Sequence, residues 1–154
     1  MAEGEKTLVQ NRKARHDYFI DETFEAGIEL QGSEVKSCRM GKVNFKDGYI
    51  SIRNDEAFLV SSHISPYEKG SMYNPEPERD RKLLLHKKEI RHLNEVSLKD
   101  GMTLIPLRLY LKRGKIKLGI GVARGKKMYD KRGSKKEADA KRQMDRAMSR
   151  NQRY

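Results

Sequence analysis

Few side chains in this sequence could do chemistry, and most are badly spaced for it. The four histidines, His16, His63, His86 and His92, do not stand at zinc-ligand spacing, and the single cysteine, Cys38, brings no second sulfur. His86 and His92 are six residues apart, so a helix holding both would place them on different faces. No metal site is predicted, and Cys38 reads as a small, semi-buried hydrophobe. Gly119 to Lys126 resembles a phosphate loop only at a glance. The Walker spacing needs a glycine where Ile120 stands and a Ser or Thr where Lys127 stands, and Gly119, Gly121 and Gly125 have the wrong last interval for a dinucleotide loop. These glycines read instead as places where a strand bends or a ligand backbone approaches closely. No Ser, His and Asp arrangement stands out, so no catalytic residue and no cofactor are assigned.

Cations beside aromatic rings do stand out. Asn11-Arg-Lys-Ala-Arg-His-Asp-Tyr18 has this character, and so does Gly125-Lys-Lys-Met-Tyr-Asp-Lys-Arg132. Lys and Arg grip phosphates, and a ring such as Tyr129 can stack on an unpaired base for roughly 1–3 kcal/mol. The alternative for each run is a solvated face. The charge balance favours a polyanionic partner: 34 Lys and Arg against 22 Asp and Glu give a formal net charge of +12 in 154 residues. The excess is uneven. Residues 126–154 hold 11 basic and 4 acidic side chains, a balance of +7, and the other 125 hold 23 and 18, a balance of +5. A membrane partner is not indicated. No apolar run approaches the roughly 20 residues of a spanning helix, and Met1 to Gln10 lacks the apolar core of a signal peptide. A cytoplasmic location is expected.

The elements that would carry these residues are mainly strands. Ile105, Leu107, Leu109 and Leu111 alternate with Pro106, Arg108, Tyr110 and Lys112; after Arg113-Gly114, Ile116, Leu118, Ile120 and Val122 alternate with Lys115, Lys117, Gly119 and Gly121. Period-two patterns on both sides of a two-residue loop predict a hairpin whose second face is free for solvent or a ligand. Pro106 suits a strand start or an edge. A second hairpin is predicted from Tyr49 to Arg53 and Ala57 to Val60, turned at Asn54-Asp55, with further strands at Tyr18 to Ile20 and Phe24 to Leu30. Ser33 is expected to cap a helix through Arg39 that ends at Gly41. A second helix is expected over His86 to Lys99, with Ile90, Leu93 and Val96 on one stripe and Asp100-Gly101 at its end. Ser65 to Arg79, with three prolines, reads as a loop. The expected fold is mainly β: an OB-type closed antiparallel barrel over residues 1–125 with two to three flanking helices, followed by a basic C-terminal tail over residues 126–154. The tail has helix formers but a thin apolar stripe. It is expected to be disordered alone and helical on a polyanion.

Several blocks in order then point further: Asn11-Arg-Lys-Ala-Arg-His-Asp-Tyr-Phe-Ile20, Phe24-Glu-Ala-Gly27, Gly32-Ser-Glu-Val-Lys-Ser37, Arg81-Lys-Leu-Leu-Leu85, Glu89-Ile90, and Gly125-Lys-Lys with Tyr129-Asp-Lys-Arg132. From about residue 8 onward the chain resembles the SsrA-binding protein (SmpB) family. The resemblance implies an OB-type barrel without catalytic activity that binds the tRNA-like domain of transfer-messenger RNA, one to one as a monomer. It implies delivery of that RNA to stalled ribosomes for trans-translation, with the tail entering the empty mRNA channel of the small ribosomal subunit and becoming helical there. By position, Asn11, Arg12, Lys13, Glu25, Leu84, Gly125 and Lys126 would contact the RNA. Tyr129, Asp130, Lys131 and Arg132 would act at the decoding centre. Leu84 has an equal alternative as a core residue. Gly133, Cys38 and Asn94 depart from the family's usual residues. Two other readings stay open on the residues alone: a general nucleic-acid-binding barrel and an enzyme acting on an acidic substrate.

Overall fold

Both predicted hairpins form, and their turns show why. Asn54 and Asp55 take φ values of 49° and 62°, Arg113 and Gly114 take 53° and 78°; two consecutive positive φ angles match the right-handed twist of the flanking strands. The computed structural model describes residues 5–68 and 73–126. In chain order the elements are β1 (Glu5–Gln10), α1 (Arg12–Asp17), β2 (Tyr18–Ile28), α2 (Gly32–Arg39), β3 (Val43–Asn44), β4 (Tyr49–Arg53), β5 (Glu56–Val60), β6 (His63–Ile64), β7 (Arg81–Leu84), α3 (Lys87–Ser97), β8 (Met102–Lys112) and β9 (Lys115–Gly125). The protein is thus mainly β with three helices among the described residues. The tail expected over residues 126–154 lies outside the described residues from 127 onward.

Seven strands form one antiparallel sheet in the order β1-β8-β9-β2-β7-β5-β4, and β3 pairs with β6. The expected closed barrel is corrected here: the hydrogen-bonded ladder runs from β1 to β4 and does not join its ends. The reason lies in β8, whose two edges are taken by β1 and β9. β4 folds back to lie close to β8 without joining its ladder. Leu59, Leu83, Leu93, Leu104, Leu109, Leu118, Ile120 and Val122 fill the space inside this curved sheet, each at most 2% exposed. α3 lays Ile90, Leu93 and Val96, the predicted stripe, onto that core.

Bulges decide which side chains face the core. The ladder between β8 and β9 shifts register between Pro106 and Arg108. Leu104 opposite Val122, Leu109 opposite Leu118 and Leu111 opposite Ile116 face inward, whereas Ile105 opposite Gly121 faces out and packs with Ala14 and Ala123 in a second small cluster. The predicted common face of Ile105, Leu107, Leu109 and Leu111 is therefore broken at Leu107, because an extra residue in one strand reverses every alternation before it. Pro106 sits at this bulge, inside an interior strand and not at an edge. β2 is likewise one strand with a bulge at Asp21, not two segments.

The first residues of α2 also differ from expectation. Gln31, not Ser33, is the N-cap: Glu34 reaches back to accept from the Gln31 backbone N–H at 2.9 Å. Ser33 lies inside the helix and its hydroxyl donates to the Tyr73 carbonyl at 2.8 Å. Glu34 also anchors a buried ion cluster. Arg81 Nη2 and Arg79 Nη2 lie 2.8 and 2.7 Å from its two oxygens, and Arg81 donates further to the Ser62 and Pro77 carbonyls, both at 2.8 Å. One carboxylate thereby ties α2, the proline-rich loop and β7 together.

Candidate nucleic-acid interface

The outer face of β8, β9 and β2 carries the predicted binding residues. Along β9 this face shows Lys117, Gly119, Gly121 and Ala123, the glycine-rich side expected to be free. β8 lines one flank with Arg108 and Tyr110, and β2 lines the other with Thr23 and Glu25. Of these, Gly119, Arg108, Tyr110, Thr23 and Glu25, together with Leu107, Gln10, Asn11, Arg12 and Arg15, enclose an open groove of about 550 Å³.

Asn11 closes one end of that groove and is pinned to the bulge in β8. Its backbone N–H donates to the Leu107 carbonyl at 2.8 Å and its amide donates to the Pro106 carbonyl at 2.7 Å. These two bonds to carbonyls at the bulge fix the start of α1. α1 then holds Arg12 and Arg15 over the groove. Lys13 faces two neighbouring grooves, of about 480 and 460 Å³, that also involve Lys46.

Glu25 sits at the centre. Its Oε1 accepts from the Tyr110 hydroxyl at 2.7 Å and from Lys112 Nζ at 3.1 Å. The Tyr110 hydrogen bond, helped by the lysines, holds the Glu25 carboxyl below its ordinary value, so it stays charged. Tyr110 is 3% exposed, and burial first, then the hydrogen bond to Glu25 and its charge, push its phenol up, so it stays the donor. The Arg108 guanidinium stacks 3.8 Å from the Tyr110 ring centre and donates to Thr7 and Glu5, each at 3.1 Å.

Leu84 is 50% exposed and stands opposite Gly27, two residues along β2 from Glu25, which decides against its alternative as a core residue. Leu83, beside it, is the buried one. Gly125 pairs with Tyr18 at the other end of the face. Lys126 donates to the Arg15 carbonyl at 2.9 Å and lies 5.2 Å from the Phe19 ring centre. The structure therefore puts Asn11, Arg12, Glu25 and Leu84 along one continuous face, with Lys13 and the Gly125-Lys126 junction at its margins. Tyr129, Asp130, Lys131 and Arg132 lie outside the described residues.

Sequence reasoning passed over Arg108, Tyr110 and Lys112. Their signal was present: they alternate along the polar side of β8. Cys38 proves fully buried, and burial pushes its thiol up to about 12. Among the described residues no cluster of His, Cys, Asp and Glu could hold a metal ion, and no helix is long and apolar enough to cross a membrane.

A basic, mainly antiparallel β protein with a glycine-floored groove, lined by cations, a carboxylate and a buried tyrosine, falls in the class of small RNA-binding proteins. Comparison with known proteins narrows this. The family model described as "SmpB protein" matches residues 8–150. The SsrA-binding protein of Clostridium botulinum (strain Hall) is 60% identical over 151 residues, covering 98% of this chain and 97% of the relative. That of Clostridium novyi (strain NT) is 58% identical over 148 residues, covering 96% and 94%. A solved structure described as "tmRNA-SmpB: a journey to the center of the bacterial ribosome" contains a chain 51% identical with a TM-score of 0.71, covering 86% of this chain and 94% of that one. The chain belongs to the SmpB family of SsrA-binding proteins.

Proposed function

We propose that this protein binds the tRNA-like domain of transfer-messenger RNA and delivers it to stalled ribosomes for trans-translation. The observation that carries the reading is the groove around Glu25. A carboxylate held charged beside Tyr110, in a protein of net charge +12, repels generic phosphate. It accepts instead from base amino groups and ribose hydroxyls, which phosphate contacts cannot distinguish. Arg12, Arg15 and Lys13 supply phosphate contacts around it, Leu84 an apolar contact, and Asn11 the pin that sets α1. The similarity to SsrA-binding proteins over nearly the whole chain supports the same partner.

The finer parts belong to the same proposal. The curved sheet is OB-type in its use of an outer strand face for RNA, and the protein works in the cytoplasm as a monomer on one RNA, binding rather than catalysing. Residues 126–154 form a tail that becomes helical in the mRNA channel of the small subunit, with Tyr129, Asp130, Lys131 and Arg132 at the decoding centre. The test uses a reconstituted translation reaction stalled on a message without a stop codon. Deleting residues 126–154 should spare most of the affinity for the tRNA-like RNA and abolish peptide tagging; continued tagging overturns the tail's role. Glu25→Gln should weaken binding to that RNA, and unchanged affinity removes Glu25 from the interface.

A further inference from the structure

The lane along β9 is not uniform. At Gly121 a Cβ would sit 3.1 Å from two Leu107 carbons, so the bulged Leu107 side chain already fills the space above that glycine. At Gly119 the nearest atom to such a Cβ is Arg108 Cγ at 3.5 Å, an ordinary contact, and the space above stays open to the groove. Gly119 is directly opposite Arg108 on one side and Glu25 on the other. Two strand spacings therefore separate those two residues, about 10 Å between backbones.

The walls of this gap are built for different tasks. The Arg108 guanidinium has one face on the Tyr110 ring and gives one Nη1 hydrogen to Thr7 and one Nη2 hydrogen to Glu5. Its remaining face is planar and cationic, a surface on which a base can stack. Across the gap, Glu25 spends Oε1 on Tyr110 and Lys112. Oε2 has no partner among the described residues and can only accept.

From this juxtaposition we propose that Arg108, Gly119 and Glu25 form a slot for one unpaired RNA base. The base stacks on Arg108 over the bare floor at Gly119 and donates from its edge, foremost from an exocyclic amino group, to Glu25 Oε2. Tyr110 is the positioning residue that aims Glu25. The proposal deepens the RNA-binding reading above and rests on it for the identity of the RNA.

The test is an abasic scan. Full-length protein is titrated with tRNA-like RNA in which each unpaired nucleotide in turn lacks its base, and in parallel with an unstructured strand scanned the same way. In the wild type one tRNA-like position should lose roughly tenfold in affinity, the size expected of one stacked base. Gly119→Val should bind the intact RNA roughly tenfold more weakly and lose nothing further at that position. Gly119→Ala, whose methyl meets only ordinary contacts, keeps the test open where valine disturbs folding, and should give a smaller loss at the same position. Tyr110→Phe keeps the ring under Arg108 and should erase discrimination between bases with and without an amino group there. It should also move the acid limb of the binding profile to higher pH, which a merely structural role would not do. Abasic penalties that are the same in the wild type and both Gly119 variants overturn the slot. Equal affinity of the wild type for the two RNAs overturns the broader reading instead, and the unstructured-strand scan then decides the slot independently.

Discussion

Glu25 and Glu34 are both held charged, by different means and with different consequences. Glu25 lies at the surface and owes its state to Tyr110. Glu34 is 3% exposed; burial pushes it toward protonation, but Arg79, the Gln31 N–H and Arg81 outweigh this and hold it below its ordinary value. A carboxyl depressed on folding binds its proton at lower pH folded than unfolded. Its contribution is fully present above the ordinary value of 4.5 and is lost as pH falls through the depressed one. Glu34→Gln removes the charge that compensates Arg81, which is itself fully buried. Breaking one side of a buried pair costs about 3–5 kcal/mol. Urea unfolding at pH 7 should show that loss, and the gap to wild type should narrow as pH drops below 4.5. Equal stability at pH 7, or a gap indifferent to pH, contradicts the assignment. Cys38 offers a second residue-level check. With its thiol pushed up to about 12 and no exposed surface, it should react with a thiol reagent at neutral pH only as fast as the protein opens.

Among the elements, α3 is held by its buried stripe, with His92 adding an exposed pair to Glu22 at 2.9 Å and a ring contact to Phe24. Leu93→Ala should cost about 2–5 kcal/mol in chemical unfolding, since Leu93 is fully buried. Leu98→Ala, at 78% exposure, should stay within about 0.5 kcal/mol. A large loss at Leu98 with little at Leu93 would mean the helix packs by another face. This helix was legible in the sequence because its periodicity is local, and so was the β8–β9 hairpin, with alternation on both sides of Arg113-Gly114. What stayed hidden depends on distant partners. The reversal at Leu107 is stabilised by Asn11, 95 residues away from Pro106 in the chain. α1 has six residues, one buried side chain and no side-chain cap, so no periodic signal marks it. The Glu34 cluster joins residues 45 and 47 positions apart. In the interface, alternation alone put Arg108, Tyr110 and Lys112 on one face. That Tyr110 would lie buried against Glu25 follows only from the order of β8, β9 and β2 in the sheet.

For the whole molecule, charge and selectivity are divided between different parts of the chain, and salt can separate them. Of the formal +12, residues 126–154 carry +7 within 29 residues, whereas the groove sets one carboxylate, Glu25, among Arg12, Arg15 and Arg108. Each phosphate neutralised by a Lys or Arg releases counterions, so log affinity falls linearly with log salt at a slope set by the number of such contacts. A chain ending at residue 125 should therefore bind the small ribosomal subunit with a visibly shallower salt slope than the full chain, while keeping most of its affinity for tRNA-like RNA. Its preference for that RNA over an unstructured strand of equal length should stay nearly intact. Glu25→Gln in the full chain should do the opposite: the slope stays, because no phosphate contact is lost, and the preference shrinks. Titrations of the three proteins across roughly 50–200 mM salt measure both quantities at once. Truncation that abolishes the preference would place selectivity in the tail; a slope on the small subunit unchanged by truncation would mean that the tail makes no phosphate contacts there.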